Sequence, residues 1–342
     1  MLIDQRARRL LLSFPRMGIV IIFCIFLKIG LVSAFSEGLY TVTDLGTLGG
    51  EISTAYAINN SGTVVGVSRM TPNDWTTDFP FVYSNGVMTA ISPYPGWATG
   101  INSAGQITGY TYIPPGSPHG FLYENGTLKD IGGLRGSSSG PVYSLAYGIN
   151  AAGVIVGQTR NEAMIYYQGD MSTFSRRAAL YAYGINDSNA IVGMLESDHA
   201  FVFQNNRLLD IGTLDGDKIE VSVAYAINSS GQAVGYSGMA GNSTQHAFLY
   251  QNGVMRDLGT LRGGYSIARG INNAGDVVGE SDGTAFLYHN GVMIDLNTLV
   301  QPGTNLFRLE MAFGINDLGQ IVGRGWFLNP SGDRPFLLTP MP

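Results

Sequence analysis

A block reading Ala-x-x-Ile-Asn-x-x-Gly-x-x-Val-Gly recurs seven times along the chain, and no other feature limits its possible folds so tightly. Its Ile-Asn pairs are Ile58-Asn59, Ile101-Asn102, Ile149-Asn150, Ile185-Asn186, Ile227-Asn228, Ile271-Asn272 and Ile315-Asn316. An alanine stands four residues before every asparagine and a glycine seven after it, from Gly66 to Gly323, with no drift in either spacing. A second block, roughly His-Ala-Phe-Leu-Tyr-x-Asn-Gly, follows each copy and is clearest from His119, His199 and His246. A third, Val-Met-x-Asp-Leu-Gly-Thr-Leu, is clearest at Val254 to Leu261. The Asn-x-x-Gly and Asn-Gly steps punctuate short β segments with tight hairpins, because glycine and asparagine tolerate positive φ.

Four strands per repeat at a period of about 44 residues is the signature of a propeller blade. Composition agrees: 47 glycines and only 13% charged residues suit a turn-dense all-β chain. The last copy stops after its third strand, Arg334 to Leu338, while the chain offers an orphan fourth strand at Tyr40 to Gly46. We therefore expect one all-β domain over residues 35–342, a seven-bladed β-propeller of four-stranded blades, its ring closed by the N-terminal strand. A β-solenoid is the alternative. In the first strand of each blade, the alanine, the small residue two before the asparagine and the asparagine itself should share one face at period two. Tyr56, Tyr147, Tyr183, Tyr225 and Phe313 should then fill the space between blades. The third copy departs from the pattern, and its fourth strand is hard to place around Met171 to Phe174.

The seven Ile-Asn blocks, His246 to Tyr250 and the run Asp44-Leu45-Gly46-Thr47-Leu48-Gly49-Gly50 resemble the bacterial extracellular HAF repeat family over nearly all of residues 40–340. That resemblance implies an exported bacterial repeat protein and carries no established activity or catalytic residue.

The first 34 residues read as an export signal. Arg6, Arg8, Arg9 and Arg16 precede an apolar run from Met17 to Leu27, and Val32-Ser33-Ala34 offers a cleavage site after Ala34. Eleven uncharged residues before Lys28 are short for a membrane span, so an uncleaved anchor over residues 17–34 is the alternative. The expected location is secreted, periplasmic or at the cell surface. The single cysteine, Cys24, lies in this segment, which leaves residues 35–342 without disulfide or thiolate chemistry. Their net charge of −10 argues against nucleic acid as a partner.

Motifs of known chemistry are sparse. There is no P-loop, His-Glu-x-x-His or calcium loop. His119, His199 and His246 hold one repeat position in three blades, which sets them too far apart for a joint metal site and suits hydrogen bonding. The aspartate of the third block, in Asp44, Asp130, Asp210, Asp257 and Asp295, recurs as a structural residue would. The seven asparagines should bond their own turns. No cofactor and no metal is expected, and the closed ring is expected to be monomeric.

Function is expected where the loops vary. Turns joining strands 1–2 and 3–4 are nearly constant, whereas connections 2–3 and 4–1 differ and lie on the opposite face of the disc. That face carries Trp75, Tyr94, Trp97, Tyr112 and Tyr143, aromatics suited to a glycan or protein ligand. The expected function is non-catalytic binding or surface interaction. A polysaccharide-active hydrolase or lyase drawing on Asp74, Asp217 or Glu310 is the rival, and a passive envelope protein the third possibility.

Overall fold

Each repeat closes into one antiparallel four-stranded sheet because its glycines and asparagines stand where the chain must reverse. In the computed structural model, which describes residues 40–113, 116–132, 143–174, 178–216, 220–239 and 242–342, seven such sheets form a ring. Blade 2 is representative: Gly96–Ile101 is innermost, followed by Ile107–Ile113, Ser117–Glu124 and Thr127–Gly132. The Asn-Gly hairpins take positive φ at both residues, 51° and 77° at Asn125 and Gly126, as a type I′ turn requires. The sheets are separate, so this is a seven-bladed β-propeller and the solenoid is excluded. Blade 3 is complete, with Asp170–Thr173 as its fourth strand. The proposed export segment, residues 1–34, lies outside the described residues.

Blade 7 takes its outer strand from the other end of the chain. Tyr40–Asp44 pairs antiparallel with Ser331–Pro340, with Tyr40 opposite Pro340 and Asp44 opposite Phe336. Arg334 occupies the place of the histidine in this blade and its Nη1 lies 3.0 Å from Asp44 Oδ2. In blades 2, 4 and 5 the same junction is His119–Asp130, His199–Asp210 and His246–Asp257, at 2.8, 3.0 and 2.8 Å. The repeated histidines thus fasten the third strand to the fourth within their own blades.

Between blades lie the phenylalanines of the second block. Phe81, Phe121, Phe201, Phe248, Phe286 and Phe336 are all fully buried, and Met164 takes the place in blade 3. Each contributes about 1.5–3 kcal/mol of burial.

The inner strands depart from simple alternation. Ala98 pairs with Gly109 and Gly100 with Thr108, so Thr99 is an extra, bulged residue. The same shift flanks Tyr56, Tyr147, Tyr183, Tyr225, Arg269 and Phe313. A bulge switches the face on which later side chains fall. The expectation that the alanine and the small residue two positions on share a face is therefore overturned. Ala98 packs with Phe121 in one interblade core, while Gly100 meets the next blade, where a Cβ would come 3.1 Å from the Tyr147 carbonyl. The bulge also explains the constant glycine. A Cβ at Gly109 would collide with the Trp97 carbonyl oxygen and lie 2.9 Å from both Ala98 Cα and the Phe121 ring.

The asparagines do more than close their own turns. Asn59 Oδ1 accepts the amides of Ser61 and Thr63 at 3.1 and 3.0 Å, while its Nδ2 donates to the Asn102 carbonyl of the next blade at 3.1 Å. Every copy repeats the link, and Asn316 donates to Asn59 at 3.0 Å, completing a closed ring of side-chain bonds. Outside it, both oxygens of Asp317 accept from Asn60 and Asn273. Burial works against that carboxylate, but these bonds outweigh it and hold its pKa below the ordinary value.

Candidate functional site

On the opposite face, the bulges aim seven side chains at the axis of the ring: Tyr56, Thr99, Tyr147, Tyr183, Tyr225, Arg269 and Phe313. The expectation that the aromatics among them fill the space between blades is corrected here, since a bulged residue has no ladder partner and is re-aimed. They line the centre and meet one another. Tyr147 and Tyr183 have ring centroids 5.2 Å apart, as do Tyr183 and Tyr225, and Tyr56 meets Phe313 edge-on at 5.1 Å.

Blade 2 extends this cluster outward. Trp97 stacks on Tyr110 at 5.3 Å and meets Tyr112 edge-on at 5.9 Å, and Tyr110 reaches Tyr147 at 6.5 Å. Two of the five aromatics expected from sequence, Trp97 and Tyr112, are therefore brought together, and Tyr112 is 41% exposed. Both stand on strands rather than loops, Trp97 on Gly96–Ile101 and Tyr112 on Ile107–Ile113. Tyr94 lies on the turn before Trp97, its amide bonded to Ser92, and its ring joins none of these aromatic pairs. Tyr143 is occupied: its hydroxyl donates to Asn161 Oδ1 and accepts the Asn161 amide, tying blade 3 to itself. Trp75 begins a short 3-10 turn, Trp75–Thr77, in blade 1.

The other half of the mouth is charged and internally paired. The Arg269 guanidinium lies 4.6 Å from the Tyr225 ring and 5.9 Å from that of Phe313. Its Nη2 is 3.3 Å from Oε1 of Glu280, which is only 4% exposed. Arg308 and Arg324 flank Glu310 at 2.5 and 3.7 Å. Asp333 joins this group, and burial raises its pKa while Arg324 opposes the rise.

Among the described residues, Asp74 and Glu310, two of the three carboxylates expected to serve hydrolysis, are not assembled as a free pair. Asp74 caps the 3-10 turn, where hydrogen bonds from the Thr76 hydroxyl and amide hold its pKa below the ordinary value. Glu310 is engaged by two arginines, and Asp217 lies outside the described residues.

The tyrosines carry a measurable consequence. Burial pushes the phenols of Tyr110, Tyr147 and Tyr183 well above the ordinary value of about 10, and neighbouring tyrosines add to the rise. The folded state therefore holds these protons more tightly than the unfolded chain. Their contribution is complete below about pH 10 and is lost as the pH climbs towards the folded values, by up to about 1.4 kcal/mol per pH unit for each. We expect phenolate absorbance and loss of β circular dichroism to rise together above pH 10. Ionisation of all tyrosines near the ordinary value with the sheet signal intact would contradict this.

Two features of the mouth escaped sequence reasoning. The bulge residues were seen but assigned to the wrong place. Trp326, 39% exposed, was not singled out at all. It stands three residues past Gly323, as Tyr112 stands three past Gly109, so a comparison of blades position by position would have found it.

No family model matches the chain, and no curated protein matches it. Solved structures do. The extracellular domain of a one component system from B. thetaiotaomicron superposes with a TM-score of 0.55 at 10% identity, over 87% of this chain and 39% of that one. This chain thus spans well under half the length of that domain. An oligogalacturonate lyase in complex with manganese gives 0.52 at 10% identity, covering 88% and 93%. YCF48 bound to D1 peptide gives 0.50 at 10% identity, covering 89% and 97%. At such identities the likeness shows the propeller fold alone.

Proposed function

We propose that this protein is an exported, non-catalytic binding module that takes a glycan or protein ligand at the mouth on its variable-loop face. The observation that carries this reading is the continuous aromatic arc from Tyr112 through Trp97, Tyr110, Tyr147 and Tyr183 to Tyr225. Such an arc supplies flat apolar area with polar edges, which suits sugar rings and protein anchors alike. The Arg269, Arg308 and Arg324 charges beside it are ion-paired with Glu280 and Glu310, which favours binding over acid–base chemistry. Export rests on the basic and apolar N-terminal segment, and no helix among the described residues is long and apolar enough to cross a membrane. The resemblance to the HAF repeat family points the same way. Among the fold relatives, one is an extracellular domain, one a lyase and one was seen with a peptide, so the scaffold accommodates ligands of several kinds.

The test passes residues 35–342, which contain every blade, over immobilised bacterial and plant polysaccharides while any released sugars are collected. Retention without release is expected. Trp97→Ala should weaken it by about 30-fold, the loss typical of a central aromatic anchor. Release of shortened sugars would overturn the non-catalytic reading, and absence of retention would exclude the glycan in favour of a protein ligand.

A further inference from the structure

Blade 7 is built longer than its neighbours. Its strands run Leu306–Ile315, Ile321–Leu328 and Ser331–Pro340, against six, seven and eight residues in the corresponding strands of blade 2 and six, five and six in blade 6. The extra length rises from the variable-loop face and presents three large apolar side chains to solvent: Phe307 at 67%, Trp326 at 39% and Leu328 at 56%. Trp326 follows Arg324 by two residues and so stands on the same face of the strand, about 7 Å further out. Arg324 in turn acts electrostatically on Tyr56 at the centre of the mouth. Across the sheet, Trp326 is flanked by Arg308 on one side and Asp333 on the other. A hydrogen-bond donor and an acceptor therefore border one exposed indole.

We propose that Trp326 forms a second stacking subsite of the mouth, two blades round the ring from Trp97 and Tyr112, and that the ligand spanning both is an uncharged glycan chain. This rests on the binding reading above and narrows it. Stacking platforms at two places on one rim suit a ligand that repeats a flat apolar face along its length, as linked pyranose rings do. The charge pattern selects the uncharged class. Arg269 pairs with Glu280, and Arg308 and Arg324 with Glu310, with Asp333 beside them. Here three guanidiniums face three carboxyl groups on a chain that is acidic overall, so this stretch of rim supplies no cationic excess for a polyanion while its donors and acceptors remain suited to hydroxyls.

The test is calorimetric titration of residues 35–342 with neutral β-1,4-linked gluco- and manno-oligosaccharides of increasing length, beside polygalacturonate fragments of matched length. Affinity for the neutral ladder should rise with length until both subsites are filled. Trp326→Ala should remove that gain, at least 10-fold for the longest sugars and less than 2-fold for the shortest, and Trp326→Tyr should restore most of it. Trp97→Ala should weaken short and long sugars alike. An unchanged thermal transition in Trp326→Ala separates a lost subsite from a lost fold. Equal effects of Trp326→Ala at every length would overturn the subsite while leaving the binding reading intact. Preference for the acidic fragments would overturn the uncharged class. Binding of no sugar by the unaltered protein would sink both this inference and the glycan reading beneath it.

Discussion

Asn186→Ala should lower stability by about 3–5 kcal/mol, enough to leave much of the protein unfolded at growth temperature. Asn186 is 5% exposed and uses its whole amide. Oδ1 accepts from the Ser188 amide and hydroxyl and from the Ala190 amide, at 3.1, 2.9 and 2.9 Å, while Nδ2 donates 2.9 Å to the Asn228 carbonyl of the next blade. Alanine would leave the Ser188 and Ala190 amides without their acceptor and the Asn228 carbonyl with the Gly231 amide as its remaining partner, and each unpaired amide costs about 1–3 kcal/mol. Asn186→Asp separates the two duties of the side chain. It keeps the acceptors for the turn but sets a carboxylate oxygen against the Asn228 carbonyl, so it should cost about 2–3 kcal/mol. Urea titration of both variants decides the matter. If the aspartate variant matched the unaltered protein, the bond between blades would contribute nothing. If the alanine variant lost only about 1 kcal/mol, the turn would hold without its asparagine.

Removing residues 40–44 should be as damaging, by a different route. Tyr40 is 7% exposed, and its burial against Leu299, Leu296 and Leu338 is worth about 2–3 kcal/mol. The deletion also takes Asp44 from Arg334, whose side chain is only 16% exposed, and leaves the outer edge of Ser331–Pro340 unpaired while Ile321–Leu328 still holds its inner edge. We expect a loss of about 5 kcal/mol together with self-association, because an uncovered strand edge is a template for pairing. Thermal melting and size-exclusion chromatography read the two effects separately. A shortened chain that remained monomeric with an unchanged transition would show that the ring does not depend on this closure. Asp44→Asn, which keeps the strand and removes the charge, should fall between the two.

How far the sequence could be read depended on whether a feature was carried within one repeat or between repeats. Strand number, hairpin positions and the closing strand follow from spacing that neighbouring residues enforce, and all are found as expected. The destination of Tyr147 and Tyr183 did not follow, because period-two alternation assumes an unbroken ladder. Whether a residue is bulged depends on how many partners stand opposite, which spacing along one strand does not show. The trace was nevertheless present. A glycine that never varies, seven after each asparagine, marks a place where backbone comes too close for a Cβ. Of the aromatics chosen for the binding face, Trp97 and Tyr112 meet, whereas Tyr143 closes its own blade. Proximity to a variable loop does not reveal whether a ring faces solvent or its own turn. Trp326 occupies the repeat position of Tyr112, a correspondence that shows only when the blades are compared position by position.

Tyr40 and Pro340 lie opposite each other at the end of blade 7 where the asparagine turns stand, and Gly319 of that turn is beside Pro340. The first described strand therefore begins, and the last ends, on one side of the disc, with the aromatic mouth on the other. Held at either end, by a lipid surface, a resin or a fused domain, the molecule would stand with its back to the support and its mouth open to the medium. The strand that seals the ring thus also sets the direction in which the protein looks.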